Sequence, residues 1–223
     1  MKCFAKKAAA ALMGGLFLMN AAGCSDENEY SDAADEVVSL AQEDMDYGAT
    51  ITQLKTSLNE NVKVSIEYDN RFITEDEAIK LADYVAALND CDGDLLSATF
   101  YPPSLESIYQ QSGAADIDEY ITSVHDNIRD NYIGYEFEFD YISVEDCITD
   151  DSDDAEETFS SVDDALDELT DDPVSDKITS RKLVTFDLQY NIVGEDGEYM
   201  LSTSTGTDST LYIYTIDGEI YIL

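Results

Sequence analysis

Four cysteines and one histidine carry the most reactive side chains of this chain: Cys3, Cys24, Cys91, Cys147 and His125. They form no Cys-x-x-Cys pair, no Cys/His set with zinc spacing and no nucleophile elbow, so no metal site, cofactor site or catalytic set stands out. Cys3 and Cys24 fall in a short N-terminal segment, which leaves Cys91 and Cys147 as a candidate disulfide. That bridge would close a loop of 147 − 91 + 1 = 57 residues and restrict the unfolded chain by roughly 4 kcal/mol. His125 borders a helical apolar stripe. There it is either a boundary side chain with one hydrogen bond or a general base facing a cavity between helix and sheet. A base would need a partner, and strand parity offers Tyr135, Tyr141 or Tyr190 on the inward side. The same positions suit aromatic side chains in any sheet.

Charge narrows the function classes. With 11 Lys+Arg against 50 Asp+Glu the formal charge is −39, a surface that repels phosphate backbones, so nucleic-acid binding is excluded as a reading. Divalent cations are the natural counterpart, yet Asn89-Asp90-Cys91-Asp92-Gly93-Asp94 fails as a calcium loop. Placing Gly93 sixth puts Leu88 first and Thr99 twelfth, where carboxylates are required. Weak cation condensation on the acidic surface remains the expectation. From Asp130 to Asp176 no Lys or Arg occurs while 19 residues are acidic. Within that run, residues 149–177 read as an acidic insertion, in which Ser160 or Ser161 could cap a short helix with Val162, Ala165, Leu166 and Leu169 on one side. The blander reading is a solvated loop with one docked helical turn.

The elements that would position these groups follow from periodicity. Val62, Val64, Ile66 and Tyr68 alternate as a half-buried strand, while Ile51 to Leu58 fits strand or helix. Thr74 and Glu77 form a capping box ahead of the stripe Ala78, Leu81, Ala82, Val85, Leu88. Tyr101-Pro102-Pro103 breaks the chain, Ser104 caps a short helix to Gln111, and Asp116 opens a helix with Ile117, Tyr120, Ile121, Val124 and Ile128 on one face. Tyr135 to Tyr141 alternate as a strand whose parity then flips to Ile142 and Val144, as a bulge would cause. Val184 to Ile192 and Glu198 to Thr205 follow as strands, and Asp217-Gly218 joins two more as a hairpin. Helices followed by an antiparallel meander make an α+β fold: helices packed on one face of a curved antiparallel sheet, interrupted by the acidic insertion.

The N-terminus reads differently. Lys2, Lys6 and Lys7, the apolar run Ala8 to Met19 and the small residues Ala21-Ala22-Gly23 make a secretory signal. The sequence Ala21-Ala22-Gly23-Cys24 resembles the lipobox of bacterial lipoproteins of Gram-positive type. This resemblance implies cleavage after Gly23 and a diacylglyceryl group on the Cys24 sulfur. Loss of residues 1–23 would leave 8 − 50 = −42. Residues 24–48 then read as an acidic tether and 49–73 as a lead-in strand region before the domain at 74–223. By its element order, with the helix Glu75–Asn89, the Tyr101-Pro102-Pro103 break, the helix Asp116–Asn131 and the ending Leu211 to Ile222, the domain resembles the nuclear-transport-factor-2-like (cystatin-like) fold carried by gut-bacterial lipoproteins. Together these resemblances imply a lipid-anchored protein on the extracytoplasmic face of the cell membrane. With no acid–base pair, metal set or phosphate-cradling Gly loop in the sequence, the expected role is non-catalytic, binding an envelope protein, glycan or small ligand. The alternatives are an isomerase- or hydratase-type enzyme using a cone cavity at His125, and an acidic divalent-cation module. A core filled by Phe137, Phe139, Leu188 and Ile213 would remove the cavity that the enzyme needs.

Overall fold

The computed structural model describes residues 47–194, 197–205 and 209–223. The signal segment, Cys24 and nearly all of the expected tether lie outside them. The chain runs β1 (Ile51–Leu54), β2 (Ser65–Asp69), α1 (Glu75–Asp90), α2 (Gly93–Thr99), α3 (Pro102–Ser112), α4 (Ile117–Ile128), β3 (Phe137–Thr149), α5 (Ala155–Glu168), β4 (Ile178–Val193), β5 (Tyr199–Ser204), β6 (Ser209–Ile216) and β7 (Glu219–Ile222).

Local signals set the helix ends. At α1 the Thr74 hydroxyl accepts from the Glu77 N–H (3.3 Å) and Glu77 Oε2 accepts from the Thr74 N–H (2.8 Å), the reciprocal box expected from the sequence. Cys91 closes this helix in the left-handed region at φ 51°. Asp92 caps α2, a helix absent from the sequence reading, by accepting from the Leu95 N–H at 2.9 Å. Pro102 and Pro103 open α3, so the breaker is also a starter: Pro lacks only an N–H that the first turn leaves unpaired. Asp116 caps α4, which runs on into a wide π-turn over Arg129–Ile133.

The sheet has the order β1-β2-β3-β4-β6-β7, with β5 also beside β4. All pairs are antiparallel but one. β2 lies parallel to β3, with Ser65 opposite Tyr141 and Ile66 opposite Ile142, because the chain between them crosses over through four helices. Register shifts interrupt β3 between Phe139 and Tyr141 and again between Val144 and Asp146. Such bulges bend a strand and strengthen its twist. At the β6–β7 turn both Asp217 (φ 53°) and Gly218 (φ 85°) take positive φ, as a tight two-residue hairpin needs.

Two cores follow from the alternation of strand side chains. On one face α1–α4 cover Ile66, Phe139, Ile142, Val144, Val184, Leu188, Leu211 and Ile213. On the other, Phe159, Val162, Ala165 and Leu166 of α5 pack on Tyr214, Ile216 and Leu223, with Ile148 and Leu183 beside them. Leu211 and Ile213 alternate with Tyr212 and Tyr214, so the helices lie on opposite sides of β6. The architecture is α+β on a curved sheet, with two corrections to the sequence reading. The helices before β3 share one face as expected, but the insertion helix covers the other. It is also a full helix that starts at Ala155, ahead of the cap expected at Ser160 or Ser161, over its own core rather than a single docked turn. The start of the fold also lies earlier than expected. Tyr47 stacks near Phe72 (5.3 Å) and its hydroxyl accepts from the Asp69 N–H, while β1 and β2 belong to the main sheet.

Candidate functional site: a polar groove at one end of the sheet

β3 ends at Thr149, directly opposite Lys182 of β4. The turn that follows carries Asp150 and Asp151, and the loop after β2 brings Arg71 and Phe72 alongside. Together with Thr179, Ser180 and Arg181 they line a groove of ≈ 940 Å³. Eight basic residues follow residue 23, since three of the 11 precede it. Three of the eight converge here.

Each cation is already held by a carboxylate. Arg71 Nη2 sits 2.6 Å from Asp69 Oδ2, and its guanidinium lies 5.0 Å over the Phe72 ring. Arg181 Nη1 is 3.1 Å from Asp150 and its Nε 2.9 Å from Asp163 of α5. Lys182 Nζ reaches Glu77 Oε2 at 2.6 Å, so the Glu of the α1 capping box doubles as a buried counter-ion. Burial alone would raise the Asp69 carboxyl, but the hydrogen bonds from Arg71 and Thr50 outweigh it and hold that group well below the usual carboxylate range. For Arg181, burial works against its charge while Asp163 and Asp150 raise its pKa further. A smaller cleft of ≈ 250 Å³ shares Asp150 and Arg181 and adds Phe159, Ser160 and Asp163. Nearby, the Tyr214 hydroxyl is buried beside Asp163, and burial first, then that carboxylate, pushes its pKa up.

Such a lining presents hydroxyls, guanidinium N–H groups and carboxylate oxygens held in fixed ion pairs. A phosphate would meet Asp150 and Asp151, and a cation would meet Arg71 and Arg181. A neutral molecule able to donate and accept many hydrogen bonds satisfies both.

The residues singled out in the sequence lie elsewhere. Cys147 is buried on the core face of β3 next to Glu77 and Lys182, and burial chiefly pushes its thiol up to about 12. Cys91 caps the far end of α1. Glu77 and Cys91 are fourteen positions apart along α1, about 21 Å, whereas a disulfide needs Cα atoms within about 7 Å. Both cysteines are free thiols, and the candidate bridge is not formed. His125 stacks flat on Phe137 at 4.7 Å, and Phe137, Phe139, Leu188 and Ile213 are all at most 5% exposed. The interior that an open cavity at His125 would occupy is therefore filled. Of its candidate partners, Tyr190 packs edge-on against Phe137 and Phe139, but Tyr135 is 64% exposed. Tyr141 points to the opposite face, where it donates to Glu67 at 2.7 Å. The first register shift of β3 falls between Phe139 and Tyr141, not between Tyr141 and Ile142, and turns the Tyr141 side chain to the other face.

Among the described residues no group of three or more His, Cys, Asp or Glu is placed to hold a metal ion, and no helix is long and apolar enough to cross a membrane. No family model, curated protein or solved structure matches the chain. The groove was missed in the sequence because its parts come from three distant segments. The adjacent pair Arg181-Lys182 in so acidic a chain was the available signal.

Proposed function

We propose that the chain is a lipid-anchored extracytoplasmic protein that binds a neutral, hydroxyl-rich ligand, a glycan, in the groove between Arg71 and Arg181. The observation that carries this reading is the pairing of every groove cation with a carboxylate, which offers fixed donors and acceptors together and leaves those cations already engaged rather than selecting an anion. The lipobox-like Ala21-Ala22-Gly23-Cys24 supports the location. Two acyl chains on Cys24 suffice for firm anchoring, and the acidic residues that follow would keep the body away from anionic headgroups.

Calorimetric titration with neutral glucan, mannan and N-acetylglucosamine oligomers, and with carboxylated or sulfated counterparts, tests the ligand class. Binding of neutral oligomers, weakened by Ser180→Ala and by Asp151→Ala, is the expected outcome. Binding of charged oligomers alone, or none at all, overturns it. Location is tested separately: Cys24→Ala should move the protein from the membrane fraction to the soluble one.

A further inference from the structure

β5 is the least covered strand of the sheet. Tyr199, Met200 and Leu201 are 61%, 73% and 57% exposed. Its inner edge pairs with β4, and among the described residues no strand pairs with its outer edge. Its sequence, Tyr-Met-Leu-Ser-Thr-Ser, has no charge and no proline, the devices that normally blunt such an edge. One register shift lies near Tyr199, and from Leu201 to Ser204 the pairing with β4 is regular.

Register fixes what this edge presents. The Thr205 N–H donates to the Leu188 carbonyl at 2.8 Å. Alternation along an antiparallel ladder then turns the Thr203 and Leu201 N–H groups toward β4 and that of Ser202 outward. Side chains alternate too. Ser202 is opposite Asn191, which is opposite Glu138, so one face of this region carries carboxylates. On it Glu138 accepts from the Tyr199 hydroxyl (2.5 Å), Asp140 accepts from Asn191 Nδ2 (2.8 Å) and Asp187 accepts from Ser204 and Thr205. The other face carries Leu201 opposite Ile192 and Thr203 opposite Tyr190.

Charge decides among occupants. A second copy of this chain brings another −39, and residues 25–46 contain nine Asp or Glu with no Lys or Arg. Both would meet repulsion at Glu138, Asp140 and Asp187. We propose that the outer edge of β5 receives an extended cationic polypeptide, which adds to the sheet as a further strand. Its main chain bonds at Ser202, and its alternate apolar side chains continue the Leu201–Ile192 face. Its Lys or Arg side chains lie on the face of Asp187, two strand spacings (about 10 Å) away, and within the longer-range field of Glu138 and Asp140 on β3.

The test uses the purified full chain and a fluorescein-labelled (Lys-Val)₄ peptide, read by anisotropy and by amide hydrogen exchange. Salt-sensitive binding with slowed exchange over residues 199–204 is expected. Ser202→Pro, which removes the outward N–H, should weaken binding about tenfold or more, as should N-methylation of alternate peptide residues. Glu138→Lys, a change on an exposed side chain that leaves the ladder intact, should weaken it as well. The proposal is overturned if (Glu-Val)₄ binds equally, if both variants bind like the parent, or if exchange at β5 is unaffected. It is also overturned if the chain dimerises through this edge without peptide, or if deleting residues 25–46 is what first exposes it.

Discussion

Asp69 ties the stretch at Gly48–Thr50 to its own, which includes Arg71. Its carboxylate accepts from the Gly48 and Thr50 N–H groups, from the Thr50 hydroxyl and from the Arg71 backbone and guanidinium, and it is fully buried. Asp69→Ala should cost about 3–5 kcal/mol, as expected when one partner of a buried pair is removed. Because the folded pKa lies below the unfolded value near 4, this contribution is complete above that value and is lost as pH falls through the folded one. Melting curves of the parent should therefore fall steeply on acidification below about pH 4, and Asp69→Asn should flatten that fall. Cysteine chemistry gives a second residue-scale expectation. Cys147, buried and raised, should resist a thiol reagent in the native protein, while the half-buried Cys91 reacts, and both should react after denaturation. One unreactive pair under denaturing, non-reducing conditions would contradict the separation described along α1.

At the scale of elements, α5 matters most for stability outside the main core. Leu166 is fully buried against the β6 face, so Leu166→Ala should cost about 2–5 kcal/mol in a denaturant titration. Asp153→Ala, at an exposed position in the preceding turn, should change little. Equal effects of the two would mean that the helix is not docked. Elements with strong local signals were legible in the sequence: the Thr74–Glu77 box, the α4 stripe, the bulge in β3 and the Asp217-Gly218 hairpin each rest on neighbouring residues. What was not legible depends on distant partners. Ile51–Leu54 is a strand because β2 lies beside it, and the parallel β2–β3 pairing cannot be read from either strand alone. The start of α5 lay hidden in a run of Asp and Glu, because the apolar positions from Phe159 onward acquire meaning only when Tyr214 and Ile216 supply a surface. The groove was invisible for the same reason.

For the whole molecule, charge sets the solution behaviour. A body at −39 repels itself, and much of that repulsion is between exposed groups within reach of screening. Raising NaCl should therefore raise the melting temperature. MgCl₂ and CaCl₂ at matched ionic strength should act alike if cations merely condense on the surface. A much larger rise with calcium alone would instead indicate a specific site. Three of the eight cations after residue 23 are held by Asp69, Glu77, Asp150 and Asp163 at one end of the sheet, while Arg129 and Lys177 pair with exposed carboxylates elsewhere.

The parallel seam between β2 and β3 carries a consequence in time. Ser65 must wait for Tyr141, 76 positions later, before the seam can close, and contacts this remote in sequence slow folding. A chain emerging N-terminus first would hold β1 and β2 as an unfinished hairpin until the helices and β3 had followed. The last strands to leave would thus complete a sheet whose first strands had been waiting longest.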